Sequence, residues 1–87
     1  MHFTVFRSSD PFDHIPRVLD QMRRMGLFLR SVSVFAIAPE TTEIRVVYGL
    51  HCSDDGWRLP DAISNTFLER VRQMPGVKNV THGHAQP

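Results

Sequence analysis

The sequence predicts an α+β domain whose elements follow the order β-α-β-β-α-β along the chain. Three observations lead to this prediction. Two segments repeat apolar residues every three or four positions, two long β-rich segments flank a short polar turn, and a strand-like segment lies near each end. Right-handed crossovers place both helices on one face of a four-stranded antiparallel sheet. We therefore expect a ferredoxin-like βαββαβ sandwich, formed by residues 1–87 as one domain.

The first strand is predicted at His2–Arg7, which alternates between two faces and is rich in aromatic and β-branched residues. Ser8–Pro11 interrupts this pattern with residues that start helices. Asp10 can cap a helix, and Pro11 fits the first helical turn. Asp13 adds negative charge where the helix dipole favours it.

The first helix is predicted over Pro11–Met25. Arg23 and Arg24 lie in its last turn, where cations suit the dipole, and Gly26 is a natural stop. One apolar stripe at helical period runs along this segment. Its members are Ile15, Val18, Leu19, Met22 and Met25.

A β-hairpin is predicted next. Leu27–Ala38 is a long segment rich in Leu, Val, Phe and Ile, and Pro39–Glu43 is a polar turn. Ile44–His51 then alternates, with Ile44, Val46 and Tyr48 sharing one face. Two such segments with a short polar link are typical of paired antiparallel strands.

The last third of the chain supplies the second helix and the fourth strand. Cys52–Leu59 is predicted as a loop, after which Pro60 and Asp61 open the helix and Pro75-Gly76 ends it. Its apolar stripe consists of Leu59, Ile63, Phe67, Val71 and Met74. We expect a short strand at Val77–Thr81 and a flexible tail at His82–Pro87.

The length, the net charge and the cysteine count of the chain limit its possible functions. A domain of 87 residues buries only about 60% of its unfolded surface, so association with a second chain is plausible. The formal net charge is +1, which provides no overall field for nucleic acid or an anionic membrane. The one cysteine, Cys52, excludes a disulfide within the chain and suits a reducing cytoplasm. Because the first residues lack a signal peptide and no apolar run spans a bilayer, we expect a full-length cytoplasmic protein.

The sequence offers few residues for chemistry. His82 and His84 form a pair, but zinc needs three or four ligands, and His51 adds only its neighbour Cys52. As a nucleophile, Cys52 would need a lowered pKa and a partnered base, and adjacent strand residues point to opposite faces. Asp54 and Asp55 suit a solvated turn. We therefore expect no catalytic residue, no metal site and no cofactor.

Nucleic-acid binding is a further alternative, because ferredoxin-like sheets bind RNA through aromatic residues on their open face. Phe3, Phe6 and Phe35 supply aromatic rings, but the chain has no RNP1-like run. We therefore expect no nucleic-acid partner.

Three segments resemble ACT domains, most closely the small regulatory subunit of acetolactate synthase. Gly26–Val34 is similar to the family's junction between helix one and strand two. Val71–Val80 is similar to its last helix end with the following V-x-x-V strand. Asp10–Ile15 lies where the family usually has Asp-x-Pro-Gly-x-Leu. The resemblance covers about residues 3 to 82.

The resemblance implies an amino-acid effector at the amino-terminal end of helix one, held by backbone N–H groups against strand two of a partner. The corresponding residues here are Asp10, Phe12, Asp13, His14, Phe28 and Leu29. Asp13 replaces the family's Gly and would repel a carboxylate, and Phe28 replaces a polar residue. Any amino-acid binding is therefore expected to be weak.

The resemblance as a whole implies a non-catalytic regulatory domain of branched-chain amino acid biosynthesis. Such a domain would form a homodimer or dock on a larger enzyme subunit, through strand two at a sheet edge. Two alternatives remain open from the residues: a small ferredoxin-like enzyme or ligand carrier that uses its histidines, and an RNA-binding module.

Overall fold

The computed structural model describes residues 2–50 and 61–84. Four strands form one antiparallel sheet in the order β2-β3-β1-β4, and two helices complete the βαββαβ order. The elements are β1 His2–Ser8, α1 Pro11–Arg24, β2 Leu27–Ala38, β3 Thr41–Leu50, α2 Asp61–Arg72 and β4 Val77–His84. The predicted ferredoxin-like fold is confirmed.

The core lies between the helices and one face of the sheet. On β3 the predicted inward face is confirmed, since Ile44, Val46 and Tyr48 are all at most 1% exposed. Helix α1 adds Val18 and Met22 from its predicted stripe. The remaining core residues are Phe6, Leu27, Phe67 and Val71.

A buried hydroxyl pair lies within this core. Thr4 Oγ1 and Tyr48 Oη are 2.8 Å apart, and the Tyr48 ring packs edge-on against Phe67 with 5.1 Å between ring centroids. Burial raises the pKa of Tyr48 above its usual value of 10.0, while hydrogen bonds to Thr4 and Ser64 oppose that shift. The neutral phenol is therefore the form that suits the core.

Strand boundaries differ from the predictions at three places. Strand β1 continues to Ser8, which pairs with Thr42 and Val77 instead of belonging to the break before the helix. The hairpin turn consists of Pro39 and Glu40 alone, because Thr41 already pairs with Ala38. The predicted end of the last strand at Thr81 is wrong, since β4 continues to His84 by pairing with the whole of β1 as far as His2. Residues 85–87 of the predicted flexible tail lie outside the described residues.

The start of α1 also differs from prediction. Pro11 occupies the first turn as expected, but the Asp10 side chain makes no capping hydrogen bond. Instead the Asp10 N–H donates to Ser8 Oγ at 3.1 Å, and the Asp10 carbonyl accepts from the N–H groups of Asp13 and His14. The helix end is thus organised from β1 rather than by its own cap residue.

Neither helix in residues 2–50 and 61–84 is long and apolar enough to cross a membrane.

Candidate functional site

Strand β2 lies at one edge of the sheet, as predicted. It pairs with β3 over its whole length, from Leu27 opposite Leu50 to Ala38 opposite Thr41. Its other side pairs with no strand among the described residues. That side carries backbone N–H and C=O groups that a further strand can pair with.

Apolar exposure is concentrated on this edge strand. Six large hydrophobic side chains are exposed in the described part of the chain, and five of them belong to β2. Those five are Phe28 at 44%, Leu29 at 41%, Val34 at 49%, Phe35 at 57% and Ile37 at 45% exposed. They lie on both faces of the strand, since Val34 pairs with the inward-facing Ile44 whereas Phe35 pairs with Glu43. Exposed apolar side chains gathered on one edge strand favour an interaction surface.

The exposure follows from how little of β2 the helices cover. Leu27 is buried and Val32 partly buried on the helix side, where α1 packs. Val34 lies on the same side opposite the fully buried Ile44, yet it is half exposed. The helical layer therefore ends before it has covered the edge strand.

The two edges of the sheet differ in chemistry. On β4 the exposed side chains include Lys78, Thr81 and His82, and Asn79 has a φ of 54° where the pairing with β1 is irregular. Charges and bulges of this kind discourage further strand pairing. On β2 the pairing with β3 is irregular near Arg30 and Ile37, which leaves Ser31–Ala36 as a regular and mostly apolar segment.

The loop between β1 and α1 is organised by a buried histidine. His14 is 2% exposed, and its Nδ1 lies 2.5 Å from Ser8 Oγ. Its Nε2 lies 2.6 Å from the carbonyl oxygen of Pro75. Because a carbonyl only accepts, Nε2 donates to Pro75, and Nδ1 is paired with the Ser8 hydroxyl, which also accepts from the Asp10 N–H. Both ring nitrogens are therefore used within the chain.

The turn between α2 and β4 closes on the same loop. Gly76 has a φ of +87°, and a Cβ there would lie 2.7 Å from Ser9 Oγ and 3.0 Å from His14 Cε1. The Ser9 N–H donates to the Gly76 carbonyl at 3.3 Å. Glycine is required here both by the backbone angle and by the close approach. The roles of Ser8 and Gly76 arise from contacts between two loops that are distant in the sequence, so no local pattern predicts them.

The structure divides the predicted effector residues into two groups. Asp10, Phe12, Asp13 and His14 follow the carboxyl end of β1, where Ser8 lies opposite Thr42. Phe28 and Leu29 lie at the start of β2, where Leu29 pairs with Tyr48 and Tyr48 with His2. Six residue steps along β1, from His2 to Ser8, separate the two groups, or about 20 Å along the sheet. One chain therefore does not bring them together.

Within the first group, the side chains face different surroundings. Phe12 is 93% exposed. Asp13 is exposed and accepts from Arg17 Nε through both carboxylate oxygens at 3.0 Å. His14 is buried and already bonded. Within this group, Phe12 is therefore the residue whose side chain is most accessible to a partner.

Several predicted candidates lie outside the described residues. These are His51, at the end of the predicted third strand, and Cys52, Asp54 and Asp55, in the segment predicted as a loop. In the described part of the chain, no group of three or more His, Cys, Asp or Glu side chains could hold a metal ion. The predicted absence of catalysis stays a prediction.

The chain matches no protein-family model and no curated protein sequence. Its fold matches solved structures. The C-terminal domain of the MgtC protein from Mycobacterium tuberculosis has a TM-score of 0.74 and 9% identity, over 97% of this chain and 86% of that one. The ACT domain of GTP pyrophosphokinase from Chlorobium tepidum has a TM-score of 0.68 and 10% identity, over 93% of this chain and 94% of that one. The chain therefore has an ACT-like fold.

Proposed function

We propose that this protein is a non-catalytic regulatory and interaction domain that associates through the edge of β2. The observation that supports this function is the concentration of exposed apolar side chains on an edge strand with an unpaired side. A second chain that pairs there would satisfy the free backbone groups and cover those side chains. The function of such a module lies in the association itself.

A second copy of this chain is the simplest partner. Two β2 strands paired antiparallel would extend the sheet to about eight strands, with all helices on one face. The start of one β2 would then lie beside the end of the other, near Ala36, which is in register with Thr42 and through it with Ser8. Phe28 and Leu29 of one copy would approach the Ser8–His14 loop of the other. The two groups of effector residues would thus meet across the interface.

A larger enzyme subunit is the alternative partner on the same edge. We propose the catalytic subunit of acetolactate synthase, in cytoplasmic branched-chain amino acid biosynthesis, on the resemblance at Gly26–Val34 and Val71–Val80. Co-purification of the two chains at equal concentrations tests this partner. If the two chains do not co-purify while this chain still associates with itself, acetolactate synthase is excluded as the partner and the homodimer remains the proposal.

Any small-molecule effector would act by binding one association state more tightly than the other. Asp13 places a carboxylate at the amino-terminal end of α1, and its exposed side chain would repel an amino-acid carboxylate. We therefore expect little effect of branched-chain amino acids on the association of the unchanged protein.

Light scattering over a dilution series tests the proposed association. The unchanged chain should be a dimer or larger at micromolar concentration, whereas its monomer mass is 10.0 kDa. Val34→Lys with Phe35→Lys should give monomers, because one lysine lies on each face of the edge strand. Asn65→Lys, on an exposed position of α2, is the matched control and should leave the mass unchanged.

The control also separates fold from association. Circular dichroism should show both variants folded, since neither change lies in the core. A molar mass of about 10 kDa at every concentration of the unchanged protein would contradict the proposed association. So would a lysine pair on β2 that leaves the dimer intact.

A further inference from the structure

A charged groove lies between the two helices, on the outer surface of the helical layer. It has a volume of about 660 Å³ and is lined by eight residues of α1, α2 and the turn after α2. Pockets for small ligands commonly have volumes in this range. The residues that matter for charge are Arg17, Asp20, Arg24 and Arg70.

Three arginines face one aspartate in this groove, so its lining carries a net charge of +2. The whole chain carries only +1, so the remaining residues sum to a net negative charge. Three of the ten Lys and Arg side chains of the chain thus line this one groove. A concave surface lined by one sign of charge raises the local concentration of ligands with the opposite sign.

The arginines are arranged along one short line. Arg17, Gln21 and Arg24 are spaced by four and three residues and so share one face of α1. The rise of an α-helix places Arg17 and Arg24 about 10 Å apart along the axis. Arg70 of α2 donates from Nη1 to Gln21 Oε1 at 2.9 Å, which positions its guanidinium between them across the groove.

Each guanidinium keeps donors free for a ligand. Arg17 uses Nε for Asp13 at 3.0 Å, and Arg24 uses Nε for Asp20 at 2.7 Å. For the described residues, the structure gives no other side-chain contact of these two arginines. Both side chains are 64% exposed, and exposed ion pairs are weak, so a ligand with several charges can compete.

We propose that this groove binds a small molecule that carries two or more linked phosphate groups. A chain of linked phosphates offers enough oxygens to contact Arg17, Arg24 and Arg70 together, whereas one phosphate group offers fewer oxygens to share among them. Guanidinium groups bind phosphate oxygens in pairs with good geometry. An acidic peptide fits less well, because the groove offers it little apolar contact beyond Met74 and Pro75.

Calorimetry with inorganic tripolyphosphate, in magnesium-free buffer at constant ionic strength, tests the proposal. One tripolyphosphate should bind per chain, and orthophosphate should bind at least roughly tenfold more weakly, since it meets fewer guanidinium groups. Arg70→Gln should weaken tripolyphosphate binding by roughly tenfold or more. Arg72→Gln is the matched control, because Arg72 loses the same charge on the same helix but pairs with Glu69 outside the groove.

The control variant should change the affinity less than roughly threefold, as expected for screened long-range charge. Arg17→Gln gives a second variant in case Arg70→Gln alters the packing of the helices, and it should weaken binding as Arg70→Gln does. Equal losses for Arg70→Gln and Arg72→Gln would mean attraction by net charge alone and would overturn the proposal. So would no binding of tripolyphosphate, or a polyglutamate peptide that binds where tripolyphosphate does not.

Discussion

Replacing His14 with alanine is expected to destabilise the domain strongly. The ring is 2% exposed and joins β1, α1 and the turn before β4 through Ser8 and Pro75. Loss of two hydrogen bonds costs about 1–3 kcal/mol together. The buried Ser8 hydroxyl left without its histidine partner, and the unfilled space, add about 1–2 kcal/mol more. We expect a total loss of about 2–5 kcal/mol.

That loss is large compared with the stability of the whole domain. A chain of 87 residues has a free energy of unfolding of about 4–13 kcal/mol. Urea denaturation followed by circular dichroism measures the change. His82→Ala is the control, because His82 is exposed on β4 and its loss should cost less than about 0.5 kcal/mol. Equal effects of the two changes would refute the role assigned to His14.

Three further predictions follow from named contacts. Because the pKa of Tyr48 is raised in the folded protein, the unfolded chain loses its phenol proton at lower pH than the folded chain. The free energy of unfolding should therefore fall above about pH 10, by up to about 1.4 kcal/mol per pH unit. Denaturation between pH 8 and 11 should show this fall, and Tyr48→Phe should abolish it. Gly76→Ala should lower the stability measured in thermal melts by about 1–2 kcal/mol more than Gly26→Ala does. Both glycines have positive φ, but a Cβ would meet close neighbours only at Gly76. Equal losses of stability would contradict the crowding at Gly76. Asp13→Gly should improve valine binding measured by calorimetry, and tight valine binding by the unchanged protein would contradict the repulsion assigned to Asp13.

Much of the fold could be predicted because its signals are local. Alternation at Ile44, Val46 and Tyr48 identified the inward face of β3, since side chains of a strand point to alternate faces. The edge position of β2 followed from topology alone. Local patterns failed where tertiary pairing decides. His82 and Gly83 favour no strand by themselves, yet pairing with β1 extends β4 through them.

The sites could be predicted only in part. The Asp10 cap was a sound local inference, but Ser8 supplies the hydrogen bond because β1 places its hydroxyl there. The sequence shows arginines along α1, but only the packing of α2 brings Arg70 to Gln21. The effector residues belong to two distant ends of the sheet, so no pattern within one chain could show whether they meet.

Hydrogen–deuterium exchange at several protein concentrations tests the central claim most directly, because the two edges of the sheet serve as each other's control. If β2 mediates association, the amides of Ser31–Ala36 should become more protected as concentration rises from nanomolar to micromolar. The amides of β4 should keep the same protection throughout. Protection that does not change in Ser31–Ala36, or that rises in β4 instead, would contradict association through the β2 edge.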